Sequence, residues 1–181
     1  AYRLLWTIIL MTPAVICSKK YRRELLETSP KLVLLCILSG IFLALHFTLW
    51  FESLNHTSVA SSTTIVCTEV IWVALGWRLF LKGRLSGKAC GAIAVTLAGS
   101  MLIAFSDSSG QGNHLYGDFL ALLAAIAVAV YTLIGRIARA TASTTVYTYL
   151  VYGACAVTLV LMTLAQGLSL TGYGSSGIVV G

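Results

Sequence analysis

Glu69 and His46 are the residues in this sequence best suited to chemistry, because both titratable side chains fall inside long apolar runs. A charged side chain at the centre of an apolar membrane helix costs roughly 2.5–3.5 kcal/mol on insertion scales, so it must face protein or water. Ser62, Glu69 and Gly76 recur at seven-residue spacing, with Ile65 and Trp72 beside them, which gives one helix a small, polar face. A carboxylate there can titrate a proton, contact a substrate, or serve only to tie helices together. His46 shares a helical face with Ser39, Trp50 and Ser53. Its imidazole suits a proton relay or a partnership with Glu69, whereas a hydrogen bond to a backbone carbonyl would make its role structural. Tyr131 and Tyr152 can offer hydroxyls to a substrate, and Trp72 stands nearest Glu69 among the tryptophans. Tyr147 and Tyr149 are expected in an aromatic belt at the membrane surface.

Other chemistry finds little support. The five cysteines, Cys17, Cys36, Cys67, Cys90 and Cys155, are widely separated and form no CxxC or Cys/His cluster. They read as small buried hydrophobes. One Glu and one His give no metal-ligand set. An intramembrane enzyme needs a nucleophile–base pair or a metal constellation, and the sequence has no GxSxG, HExxH or paired aspartates. No catalytic residue, metal or cofactor is therefore expected.

The elements that must position Glu69 and His46 follow from composition. Apolar residues make up 58% of the 181 and charged residues 10%, where a soluble domain carries about 25% charged. Six apolar runs of membrane-crossing character stand out: Leu4–Cys17, Leu32–Phe51, Val59–Leu81, Ala89–Phe105, Phe119–Gly135 and Val146–Ala165. The first is cut short, so about five complete spans and part of another are expected. Starting at Ala1 and stopping within an apolar run at Gly181, the chain reads as a fragment of a longer protein.

A net charge of +6 raises nucleic acid as a partner, but the distribution of charge explains it otherwise. Eleven of the twelve basic residues fall in three loops: Lys19, Lys20, Arg22, Arg23 and Lys31 after the first run, Arg78, Lys82, Arg84 and Lys88 after the third, and Arg136 and Arg139 after the fifth. The alternate loops hold none. Short loops rich in Lys and Arg stay cytoplasmic, so loops 18–31, 78–88 and 136–144 are expected on that side of a cell (plasma or inner) membrane. Gly87, Gly91 and Gly99 suit close packing of the fourth run against a neighbouring helix.

With the runs placed, their ends resemble the EamA-type pattern of the drug/metabolite transporter superfamily. The stretch from Leu45 to Ala60 resembles that family's aromatic span end followed by "xAL…TSxA". Glu69-Val70-Ile71 and Leu81-Lys82-Gly83-Arg84-Leu85-Ser86 look like "EPV…L…lgErLS", Gly91, Gly99 and Leu102 like "G…L…G", and Gly117-Asp118, Ala125, Ala129, Tyr131 and Arg136 like "GD…aA…aY…r". Val70 replaces the usual proline, and Gly83 replaces the Glu before Arg-Leu-Ser. Neither a proline kink nor a role for that Glu carries over.

The resemblance implies an all-α, polytopic transmembrane bundle, part of a ten-span fold of two inverted five-helix repeats. Residues 1–106 would hold about four spans of the first repeat, and 115–181 the start of the second. It implies a secondary transporter that exports a small metabolite, such as an amino acid, a related compound or a drug, by alternating access. Its partners would be that substrate and the lipid bilayer, with protons as one option for the coupling ion. A structural or sensory membrane subunit is the alternative, with an intramembrane enzyme further behind. The residues do not choose the substrate or the oligomeric state.

Overall fold

The computed structural model describes residues 2–107 and 114–165. Among these residues the regular structure is all helical: α1 (Tyr2–Cys17), α2 (Lys19–Leu26), α3 (Pro30–Leu54), α4 (Val59–Cys67), α5 (Glu69–Phe80), α6 (Gly87–Asp107), α7 (Leu115–Ala138) and α8 (Thr144–Ala165). Backbone N–H groups at a helix start have no partner within the helix, and at a membrane surface they need one. Serines supply it four times. Ser29 Oγ accepts from the Leu32 N–H at 3.3 Å, Ser58 from Ser61 at 3.0 Å, Ser86 from Ala89 at 3.2 Å and Ser143 from Val146 at 3.4 Å. Each such cap contributes about 1 kcal/mol.

Four stretches are long and apolar enough to cross a membrane: Pro30–Leu54, Val59–Phe80, Leu115–Ala138 and Thr144–Ala165. Arg3–Cys17 is a shorter apolar helix. Helix α6 runs for 21 residues, Gly87–Asp107, and carries the apolar stretch Gly87–Gly99.

Three local expectations are corrected. The basic stretch expected as a loop, 18–31, contains α2, whose residues all remain at least partly exposed. The third run is two helices rather than one. It breaks at Thr68 without a proline, because the Thr68 N–H and hydroxyl both bond to the Ile65 carbonyl, at 3.0 and 2.6 Å, and the Ile71 N–H bonds to the Thr68 carbonyl at 2.9 Å. These i to i+3 bonds tighten the chain locally. The glycine face of α6 is not packed on the described residues. A Cβ at Gly87, Gly91 or Gly99 would meet nothing within 4 Å.

The chain forms two compact units. One comprises residues 1–44 and 134–181, and the other residues 45–133. In the first, α1 packs against α8, and α2 lies on both. Its core holds Val15, Cys36, Val146, Tyr147, Val151 and Cys155. Tyr147 is not a belt residue. It is 3% exposed, with its hydroxyl 2.8 Å from Ser39 Oγ and Arg139 over its ring at 5.6 Å. In the second unit α4 packs against α6. Here α7 buries Ala121, Ala124, Ala125, Ala127 and Ala129, small residues that let helix backbones approach closely where lipid offers no hydrophobic drive to associate.

Candidate functional site

The site is built within the second unit, from the C-terminal half of α3, the α4–α5 pair and α7. Ser53 and Ser62 are both fully buried, and their hydroxyl oxygens lie 2.8 Å apart. This contact fixes the register of α3 against α4. The two helices are joined by a short turn and run in opposite directions. Seven residues before Ser53 is His46, and seven after Ser62 is Glu69. The step on α3 is about two turns, or about 10 Å along the helix, while the step from Ser62 crosses the end of α4. The break at Thr68 comes immediately before Glu69 and makes it the first residue of α5.

Other residues of the two stripes are buried as well. On α3, Ser39, His46 and Ser53 are all buried. On α5, Gly76 is buried, and a Cβ there would run into the Leu133 side chain of α7. The Ser62–Glu69–Gly76 stripe thus meets α3 at one end and α7 at the other, with half-buried Glu69 between them. Among the described residues the ion pairs are Arg23–Glu27 and His56–Glu52, so Glu69 has no cationic partner there.

His46 is 6% exposed, and its Nδ1 lies 2.9 Å from the Ala124 carbonyl of α7. In the neutral ring that contact places the proton on Nδ1 and leaves Nε2 as an acceptor. The ring stacks on Trp50 with centroids 5.8 Å apart. The Trp50 Nε1–H is buried without a hydrogen-bond partner. Trp72 stands half-buried one turn from Glu69 on α5, and Tyr131 half-buried on α7. Tyr152 lies on α8 and belongs to the first unit. The second unit therefore brings together the helices that carry His46, Glu69, Trp72 and Tyr131, and leaves Tyr152 outside this group.

Sequence reasoning missed the rim of the site at the α3–α4 turn. Asp118 Oδ1 accepts from Thr57 Oγ1 at 2.7 Å and from Ser61 Oγ at 2.9 Å. Gly117 permits that approach, since a Cβ there would lie 2.7–2.8 Å from the backbone of His56 and Thr57. His56 continues the rim, with Nε2 3.0 Å from Glu52 Oε1 and its ring edge-on to Tyr116. The Gly117-Asp118 pair was visible as a motif. Its partners in the α3–α4 turn were not.

With this geometry in place, comparison with known families decides the affiliation. The sequence matches the EamA-like transporter family over residues 1–105, more than half of the chain. It belongs to that family. No match was found among curated proteins or solved structures. EamA-like proteins are membrane transporters of the drug/metabolite type, and the apolar helices of this chain make it an integral membrane protein. The EamA-like assignment also gives the departure at Gly83 a physical reason. Any side chain there would overlap the Trp77 indole, which fills the space beside the αL residue Lys82.

Proposed function

We propose that this EamA-like protein is a secondary transporter that exports a small metabolite, such as an amino acid, a related compound or a drug, by alternating access. The carrying observation is Glu69, half-buried in the Val59–Phe80 stretch on the same stripe as the buried Ser62 and Gly76. A carboxylate without a cationic partner, held within a membrane span, is a group that binds protons or substrate in transporters. Trp72, Tyr131 and the Nε2 of His46 would supply apolar and hydrogen-bonding contacts around it, and Tyr152, on α8, remains a candidate substrate contact from the sequence alone. Glu69 would carry the coupling proton. His46, fixed to Ala124, would set the separation of α3 and α7 and accept a hydrogen bond.

The supporting context is the family membership and the segregation of Lys and Arg to alternate connections along the sequence, which would orient loops 18–31, 78–88 and 136–144 to the cytoplasm. Residues 1–106 would belong to the first repeat and 115–181 to the second, in inverted orientation. No bond of the substrate need be made or broken. The test is efflux from cells loaded with a labelled metabolite pool, comparing cells that express the full-length protein with cells that lack it. Faster loss of at least one metabolite supports export. Identical pools across a broad panel would favour a structural or sensory subunit.

A further inference from the structure

Glu69 is the first residue of α5, and the break at Thr68 separates it from α4. The i to i+3 bonds there interrupt the α-helical ladder, so the register that Ser53 and Ser62 set between α3 and α4 is not carried rigidly into α5. Helix α5 therefore needs a fixed point of its own. Gly76 is the one buried residue of α5. It lies seven residues beyond Glu69 in an unbroken helix, about 10 Å along the axis and on nearly the same side. A displacement of α5 at Gly76 is thus passed on to Glu69.

Leu133 of α7 covers Gly76. The three atoms nearest to a Cβ built at Gly76 all belong to that side chain, with Cδ1 in direct overlap, Cγ at 3.6 Å and Cδ2 at 3.8 Å. The isobutyl group is seated on the bare glycine backbone. In lipid, helices gain nothing by hiding apolar surface from water, and close fits against small residues are what hold them together. The same helix presents the Ala124 carbonyl to His46 Nδ1 at 2.9 Å. Helix α7 is therefore a common reference for both titratable side chains, reaching His46 through its backbone and Glu69 by way of Gly76.

We infer that the seating of Leu133 on Gly76 is the contact that positions Glu69 for proton coupling, an inference that rests on the reading of Glu69 as the coupling group. Gly76 and Leu133 touch neither proton nor substrate and act as positioning residues. A side chain introduced at Gly76 has two ways to fit. It can turn the Leu133 methyl aside, or it can move α5 off α7. A branched side chain is too bulky for the first, so α5 must move and take Glu69 with it.

The test follows two readouts in the full-length protein: metabolite export, and the rate at which dicyclohexylcarbodiimide modifies Glu69, read by peptide mass spectrometry. Gly76→Val should speed modification of Glu69 by roughly threefold or more, because α5 then stands off α7, and slow export about tenfold, the cost of a misplacement on the ångström scale. Modification of Glu52 and Asp118, at the α3–α4 turn and the start of α7, should stay unchanged. Leu133→Ala removes from α7 the same carbon volume that valine adds to α5. The Gly76→Val/Leu133→Ala protein should therefore return both readouts to within about twofold of wild type, as volume-conserving exchanges do. Gly76→Ala paired with Leu133→Val repeats the comparison with a smaller change if the valine variant expresses poorly. Unchanged Glu69 reactivity in the Gly76 variants, or a double variant as altered as the single one, would overturn the inference whatever export does. Modification needs no substrate, so reactivity that follows the pair while export stays constant would instead remove Glu69 from the transport cycle and leave the positioning contact standing.

Discussion

The hydroxyls of Ser53 and Ser62 lie 2.8 Å apart in the core of the second unit, and that contact sets how α3 and α4 register on one another. The same face of α3 carries His46 about two turns earlier in the helix. A slip of one residue in either helix would rotate its polar stripe by about 100° away from the other. The pair is thus a gauge for the site as well as a hydrogen bond.

The hydroxyl pair predicts a particular pattern of coupling. Ser53→Ala and Ser62→Ala should each lower the thermal stability of the full-length protein in detergent by about 1 kcal/mol, since each leaves the other hydroxyl buried without its partner. The double variant should lose less than the sum, with a coupling of roughly 0.6–1.7 kcal/mol, the range for hydrogen bonds between membrane helices. Strictly additive losses would show that the two hydroxyls do not interact.

At the outer rim, Gly117 and Asp118 should separate sharply. Gly117→Ala places a methyl group against the backbone of His56 and Thr57 and should destabilise by about 1–3 kcal/mol, as overpacking does. Asp118→Asn keeps a carbonyl oxygen for Thr57 and Ser61 and should melt close to wild type. Asp118→Ala should melt well below it. Thermal melts of the three variants check this, and a Gly117→Ala variant as stable as wild type would contradict the close approach.

His46 has a structural bond on one side of its ring and a free acceptor position on the other. His46→Asn supplies an amide N–H for the Ala124 carbonyl and should fold to a normal yield. His46→Ala loses the tie between α3 and α7 and should reduce yield or melting temperature. If His46 is chiefly a spacer, the Asn variant also keeps most of the transport activity. A stable Asn variant with at least tenfold slower transport would move the imidazole into the transport cycle.

How much of this was legible in the sequence differs by level. Four of the spans were, because long apolar runs report membrane-crossing length directly. The polar faces were too, since Ser62, Glu69 and Gly76 recur at helical spacing and the structure turns that stripe inward. The Thr68 break was not, because a threonine bonded to its own preceding turn leaves no signal as strong as a proline. Tyr147 was misplaced for a related reason. A tyrosine near a span end suits the interface, and its burial rests on the Ser39 hydroxyl, far away in the chain, together with the nearby Arg139 guanidinium. Helix α2 was hidden by its brevity and charge. The register of α3 on α4 depends on which serine meets which, and neither face alone specifies that.

The most direct test of the central claim is export by the full-length protein over a range of pH, comparing wild type with Glu69→Gln. The substitution removes the titratable charge while nearly preserving shape. Proton coupling through Glu69 predicts that wild-type export varies with pH, and that the variant loses export at least tenfold or becomes indifferent to pH. Equal rates and equal pH profiles in the two proteins would contradict it and leave Glu69 as a packing residue.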